Sequence, residues 1–197
     1  MATGRFLNER RDVLLCAPPG TGKSHLVQAV GYHLIKTGHI VLYRSIVDVV
    51  RDFLHDEALD GHERIMASYL KPDLLIIDDF GMKQLPKRSG EFLFEIVMRR
   101  YETRSTMMTT NRPVEDWGKV LGDVPTATAI LDRFLHHAEI INIAGDSYRL
   151  SERKRADEQS NGAKAPTGSE LPPKKSKRAK APTGSAAEEE NNNGTKQ

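Results

Sequence analysis

Val13-Leu14-Leu15-Cys16-Ala17-Pro18-Pro19-Gly20-Thr21-Gly22-Lys23-Ser24 passes from an apolar run through a Gly/Pro turn to a Lys-Ser pair that opens an amphipathic segment. The order predicts strand, phosphate loop, helix. A triphosphate is held by backbone N–H groups that curl inward, and Gly20 and Gly22 permit that curl because they have no Cβ to clash. Lys23 can reach the β- and γ-phosphates as a point charge, Ser24 can offer its hydroxyl to Mg²⁺, and the following helix points its positive dipole end at the anion. Pro18, Pro19, Thr21 and His25 complete the loop. The pattern G-x-x-x-x-G-K-[ST] asks for glycine at position 17, where this chain has alanine. That methyl costs little if the backbone there has negative φ, and about 1 kcal/mol or more if φ is positive.

A second stretch carries the complementary chemistry. Asp73-Leu74-Leu75-Ile76-Ile77-Asp78-Asp79-Phe80-Gly81 is an apolar strand tipped by two carboxylates, and its unbroken apolar run suits a parallel strand covered on both faces. A carboxylate at the end of a buried strand calls for a compensating cation, which Mg²⁺ bound beside Ser24 would supply to Asp78. Asp79, one residue on, is placed to orient and polarise an attacking water.

The rest of the chain alternates in the same way. Helical spacing runs from Leu26 to Ile35 and stops at Gly38, and Ile40–Tyr43 reads as a strand. A helix follows over Ile46–Leu54, a polar turn over 56–61, and another helix from about Glu63 to Leu70. Gly90–Tyr101 is helical and feeds a strand, Thr106–Asn111. A short helix around Glu115–Val120, a longer one from Ala127 to His137 and a last strand, Ile140–Ile143, close the pattern. Five strands alternating with helices predict an α/β fold with a mainly parallel sheet, right-handed crossovers and ligand at the carboxyl ends of the strands. Asn111, at the tip of the fourth strand, is placed to meet the γ-phosphate or the water. Arg133, in a helix near the start of the last strand, is placed to reach a neighbouring subunit's nucleotide.

Composition divides the chain into a folding unit over 1–151 and a tail over 152–197. Beyond Leu150 the only large aliphatic residue is Leu171, with no aromatic, so the tail cannot bury a core and is expected to be disordered. It carries ten Lys/Arg against seven Asp/Glu, while residues 1–151 carry nineteen against twenty, so the small net charge of +2 conceals a basic tail on a neutral body. Ala163–Ser169 recurs as Ala179–Ser185, a duplicated linker. The single cysteine rules out an internal disulfide, no apolar run is long enough to span a membrane, and Met1 leads straight into charged residues with no signal peptide. A cytosolic setting is expected. The histidines show no metal spacing; His136 and His137, being adjacent, are expected on different faces of a helix.

On Pro18–Leu26, Leu74–Gly81, Thr109–Pro113, Ala127–Arg133 and Gly145–Arg149, the chain resembles the AAA+ ATPase module of the IstB family, transposition helpers of bacterial insertion sequences, close to the DnaC helicase loaders. The resemblance implies ATP and Mg²⁺ as cofactors, Lys23 and Ser24 in the Walker A motif, Asp78 and Asp79 in Walker B, Asn111 as sensor and Arg133 as a finger acting in trans. It also implies that the helix over Ile46–His55 belongs to an insertion that faces DNA, with Arg44, Ser45 and Arg51 as candidate phosphate contacts. Ala17 departs from the family pattern, Asp79 stands where many AAA+ proteins have glutamate, and relatives carry a domain ahead of the module. The repeat-bearing tail has no expected counterpart. The implied function is an ATP-dependent helper that assembles as a homo-oligomer on double-stranded DNA through ATP-bridged interfaces and recruits or activates a transposase, hydrolysis resetting the complex. Its rivals are a DnaC-like helicase loader and a truncated ATP-binding remnant. A small-molecule kinase fits less well, for no arginine-rich lid follows the third strand.

Overall fold

The computed structural model describes residues 4–54, 59–148 and 150–153. His55, Arg149 and the expected tail from Lys154 onward lie outside the described residues. Five strands, β1 (Asp12–Cys16), β2 (Val41–Ser45), β3 (Leu74–Phe80), β4 (Ser105–Thr110) and β5 (Ala138–Asn142), form one sheet in the order β2-β3-β4-β1-β5. Every neighbouring pair is parallel. The chain leaves β1 for the far edge of the sheet and returns through β3 and β4, which brings the tips of β1, β3 and β4 side by side.

Alternation along the strands supplies two cores. Val13 and Leu15 of β1, Leu74 and Ile76 of β3 and Met107 of β4 pack beneath α1 (Arg5–Asn8) and α2 (Lys23–Lys36). Their neighbours Leu14, Leu75, Ile77 and Met108 face the opposite way, against α3 (Ile46–Leu54), α4 (Leu59–Leu70), α5 (Ser89–Arg100), α6 (Trp117–Leu121) and α7 (Val124–His136). Side chains of period two on a sheet covered on both faces explain why these strands read as unbroken apolar runs.

Two helices begin earlier than their periodicity predicts. Pro125, ahead of the expected start at Ala127, occupies the first turn of α7, where its missing N–H leaves no intrahelical bond unmade; Asp123 caps that helix by accepting from the Thr126 N–H at 3.3 Å. Likewise α4 starts at Leu59, inside the segment read as a polar turn. Trp117, fully buried beside Phe80 with ring centroids 4.1 Å apart, fastens α6 under the tip of β3.

At the end of the sheet opposite the phosphate loop, Arg100 is 1% exposed and donates to the carbonyls of Tyr69, Pro72 and Ser105 and to Thr106 Oγ1. It ties the ends of α4 and α5 to the start of β4. Asp12 is buried alongside, accepting from the Thr106 N–H at 2.6 Å. Burial pushes its pKa up to about 7, against the Thr106 hydrogen bond and the Arg100 and His137 charges, which pull it down. The folded chain therefore holds a proton that the unfolded chain has lost above about pH 4. The stability this proton gives is complete below about pH 4 and lost as pH rises through about 7, on the order of 4 kcal/mol in all. Urea denaturation is expected to show a falling midpoint between about pH 4 and about pH 7, and a much flatter profile in Asp12→Asn, whose side-chain carbonyl still accepts from Thr106.

Candidate nucleotide-binding site

Gly20 and Gly22 adopt φ of 82° and 88°, the left-handed conformations the curled loop requires. Ala17 is not among the residues of positive φ, so its methyl carries no backbone penalty and packs into the core at 8% exposure. Its N–H donates to the Thr110 carbonyl at 3.1 Å, joining the loop to the tip of β4. Lys23 sits in the curl, where Nζ donates to the carbonyls of Ala17 and Pro18, each at 2.8 Å. Burial lowers its pKa, and the charges of Asp79 and Asp78 pull in the other direction. Lys23 is thus held at the centre of the loop by weak acceptors that a phosphate oxygen, carrying full charge, would displace.

Asp78 is wholly buried at the tip of β3. Oδ2 accepts from the Tyr43 hydroxyl at 2.5 Å, and Oδ1 accepts from the Thr109 hydroxyl and from the Asp79 N–H at 3.0 Å. Burial pushes the Asp78 carboxyl up, but hydrogen bonds from Thr109, Tyr43, Ser24 and the Asp79 backbone together hold it below the usual carboxylate range. It is therefore an anion at neutral pH. Tyr43, its own pKa pushed up to about 12 by burial and by Asp78, remains a donor.

The pairing of β3 with β4 slips between Ile77 and Phe80, and within that irregularity Asp79 has φ 63°. A left-handed aspartate costs about 1–2 kcal/mol. The conformation turns the Asp79 side chain out of the sheet, exposed, into a cleft of about 590 Å³ shared with Pro19–His25, Met82, Tyr148 and Glu152. Strain at a bulge that re-aims one side chain into a cleft is characteristic of functional sites.

Ser147, Tyr148 and Glu152 are residues to which sequence reasoning gave no role, although Gly145–Arg149 was noticed as a motif. The Tyr148 N–H donates to the Gly20 carbonyl at 3.0 Å, and Ser147 caps the helical residues 150–153 through the N–H groups of Leu150 and Ser151. A Cβ on Gly20 would lie 2.1 Å from Ser147 Oγ. The segment after β5 thus packs directly on the phosphate loop.

The other expected residues fall at varying distances from the cleft. Asn111, expected as the last residue of the fourth strand, stands one residue beyond β4; its Nδ2 donates to Met82 Sδ at 3.4 Å, its Oδ1 is buried with no hydrogen-bond partner, and it lines an adjoining cavity of about 610 Å³ with Pro18 and Cys16. Arg133 lies well away, its guanidinium 5.6 Å from the centre of the Tyr101 ring. Ser45 donates to Asp48 Oδ2 at 2.7 Å and accepts the Asp48 N–H at 3.1 Å, so its hydroxyl caps α3. Arg44 is 3.5 Å from Asp52 and Arg51 is 3.1 Å from Asp48, and both arginines are exposed.

A phosphate loop after β1, an acid-tipped β3 and a polar tip on β4, on a sheet ordered β2-β3-β4-β1-β5, define a P-loop nucleotide-binding domain of the AAA+ type. The chain belongs to the IstB-like ATP binding protein family, whose model matches residues 1–156. It is 35% identical over 159 residues to an ATP-binding protein of insertion sequence IS5376 from Geobacillus stearothermophilus, covering 81% of this chain and 63% of the relative. Against the insertion sequence IS21 ATP-binding protein of Pseudomonas aeruginosa it is 36% identical over 151 residues, covering 77% of this chain and 57% of the relative. The chain thus spans about three fifths of the length of these relatives. In fold it is similar to the replication initiator DnaA bound to AMPPCP and single-stranded DNA, with TM-score 0.61 and 22% identity over 81% of this chain and 50% of that one. The DnaC helicase loader gives TM-score 0.58 and 23% identity over 71% of this chain and 85% of that one.

The two loop glycines are expected to differ in tolerance. Gly22→Ala meets open space and pays only the left-handed backbone cost, about 1–2 kcal/mol in urea denaturation. Gly20→Ala pays that and must also displace Ser147, so its loss of stability should be clearly larger. Equal losses would mean that Ser147 is not seated on the loop.

Proposed function

We propose that this chain is an ATP-driven transposition helper. ATP-bound subunits assemble on double-stranded DNA, bend it, and recruit or activate a transposase; hydrolysis then resets the complex. The observation that carries the reading is the buried, ionised Asp78 at the tip of β3, beside a cleft lined by Lys23 and Ser24 into which Asp79 has been turned. Membership of a family of ATP-binding proteins, several of whose relatives bear the names of insertion sequences, supports the transposition setting. The cellular setting we assign is the bacterial cytoplasm.

A hydroxyl and a carboxylate are hard oxygen donors of the kind Mg²⁺ prefers, and Ser24 and Asp78 would hold it. Bound there, the ion supplies positive charge to the β- and γ-phosphates. Lys23 leaves the Ala17 and Pro18 carbonyls for the phosphates. Asp79 accepts a hydrogen bond from the attacking water and aligns it with the γ-phosphorus, while Asn111, the polar residue at the tip of β4, orients the same water or the γ-phosphate. Arg133 serves the nucleotide of the adjoining subunit, which makes hydrolysis dependent on assembly. Arg44 and Arg51, exposed beside α3, contribute contacts to DNA phosphates; Ser45 acts through the cap that fixes that helix.

With Mg-ATP the full chain is expected to retain duplex DNA in a gel-shift and to sediment as an oligomer, and Lys23→Ala should do neither. Failure of the unaltered chain in both assays would overturn the reading. Arg133→Ala is expected to lower ATP turnover by about 10³-fold or more. Mixing it with Asp79→Asn, which keeps the phosphate loop that binds ATP for assembly, should restore part of that turnover, because each variant supplies the group the other lacks across the shared interface. No recovery on mixing would place Arg133 outside the site of its neighbour.

A further inference from the structure

The turn after α5 and the junction between α7 and β5 meet at the end of the sheet remote from the phosphate loop. His136 is the last residue of α7, and His137 caps it with φ −118° and ψ 11°, so the backbone leaves the helix between the two imidazoles. That departure overturns the expectation that adjacent histidines diverge on a helix: their ring centroids are 4.3 Å apart. Both rings approach Glu102. Its Oε1 lies 3.0 Å from His137 Nε2, and one ligand atom from each of Glu102, His136 and His137 falls within 4.8 Å of the others.

We propose that Glu102, His136 and His137 form a site for a divalent transition-metal ion of the zinc class, separate from the nucleotide cleft. Two imidazoles and one carboxylate form a donor set suited to zinc, nickel or cobalt rather than magnesium or calcium. Bonds of about 2.0–2.2 Å require ligand atoms roughly 3.3 Å apart in tetrahedral geometry, so the widest separation among the three must close by up to about 1.5 Å. Glu102 and His136 are exposed and His137 half-buried, free to make that adjustment by small rotations. The surroundings already hold parts of the set. The Tyr101 hydroxyl lies 2.6 Å from His136 Nδ1 and steadies that ring, in the manner of the outer partners of metal-bound histidines. Arg10 Nη1 donates to the Glu102 carbonyl at 3.2 Å and fixes the backbone of the turn, in which Glu102 has φ 56°. An ion here would join the turn entering β4 to the junction entering β5, the two strands that flank β1, and so would clamp the base of the sheet.

The test is a calorimetric Zn²⁺ titration of the tag-free, nucleotide-free full chain, with Co²⁺ absorption as a second readout of imidazole ligation. We expect one ion per chain and a thermal midpoint raised by Zn²⁺. The double variant His136→Ala/His137→Ala should weaken binding by about tenfold or more and abolish the thermal shift. Glu102→Gln, which keeps the shape of the turn, should weaken binding less. A His33→Ala/His39→Ala control should bind as the unaltered chain does. Far-UV circular dichroism and Mg-ATP affinity report whether each variant has folded. If the unaltered chain shows no saturable Zn²⁺ binding, Glu102–His137 is only a surface ion pair and the proposal falls. It falls equally if the folded double variant binds Zn²⁺ as tightly as the unaltered chain.

Discussion

A single buried carboxylate, that of Asp78, organises the functional end of this molecule. Removing a charge from water is expensive unless each lone pair finds a donor. Here the donors come from three places: Tyr43 on β2, Thr109 on β4 and the backbone of Asp79. Satisfying one anion therefore sets the relative positions of three strands. The same network keeps Asp78 ionised, which a metal-binding role requires, and its backbone donor belongs to the residue whose left-handed conformation faces the cleft.

The opposite end of the sheet solves a similar problem with the opposite charge. Arg100 is as deeply buried as Asp78, and burial lowers its pKa to about 10, yet its guanidinium is surrounded by carbonyls and the Thr106 hydroxyl. Five donors in a planar fork can gather chain ends that have no regular pairing of their own, which a lysine could not do. The sheet is thus held by a buried anion where strands finish and by a buried cation where they begin.

Much of this was legible in the sequence, for identifiable reasons. Residues 13–24 combine an apolar run, two glycines and Lys-Ser in an order that few structures other than a phosphate loop would need, and a strand covered on both faces must read as 74–77 does. What stayed hidden depends on exceptions to periodicity. Pro125 is a breaker in the middle of a helix and a good residue in its first turn, and only the cap at Asp123 tells the two apart. The orientation of Asp79 depends on a slipped register that no local pattern announces. Adjacent histidines diverge on a helix, but His136 and His137 straddle its end. Ser45, with Asp48 three residues on, carries the signature of a helix cap as well as that of a polar contact to DNA, and the structure shows the cap.

Arg133 shows how topology can limit a role when contacts alone do not define it. In a parallel sheet each helix runs back from the tips of the strands to their beginnings, so α7 descends from the cleft end to the start of β5. Arg133 lies three residues from the lower end of α7, about 4.5 Å along the helix axis, while the five residues of β1 climb about 16 Å to the phosphate loop. Its guanidinium rests over Tyr101, on the turn that precedes β4, with the Glu102, His136 and His137 cluster beside it. An arginine side chain cannot reach from there to the phosphate loop around Lys23 of the same chain. If Arg133 has a catalytic part, that part is therefore on another subunit's nucleotide.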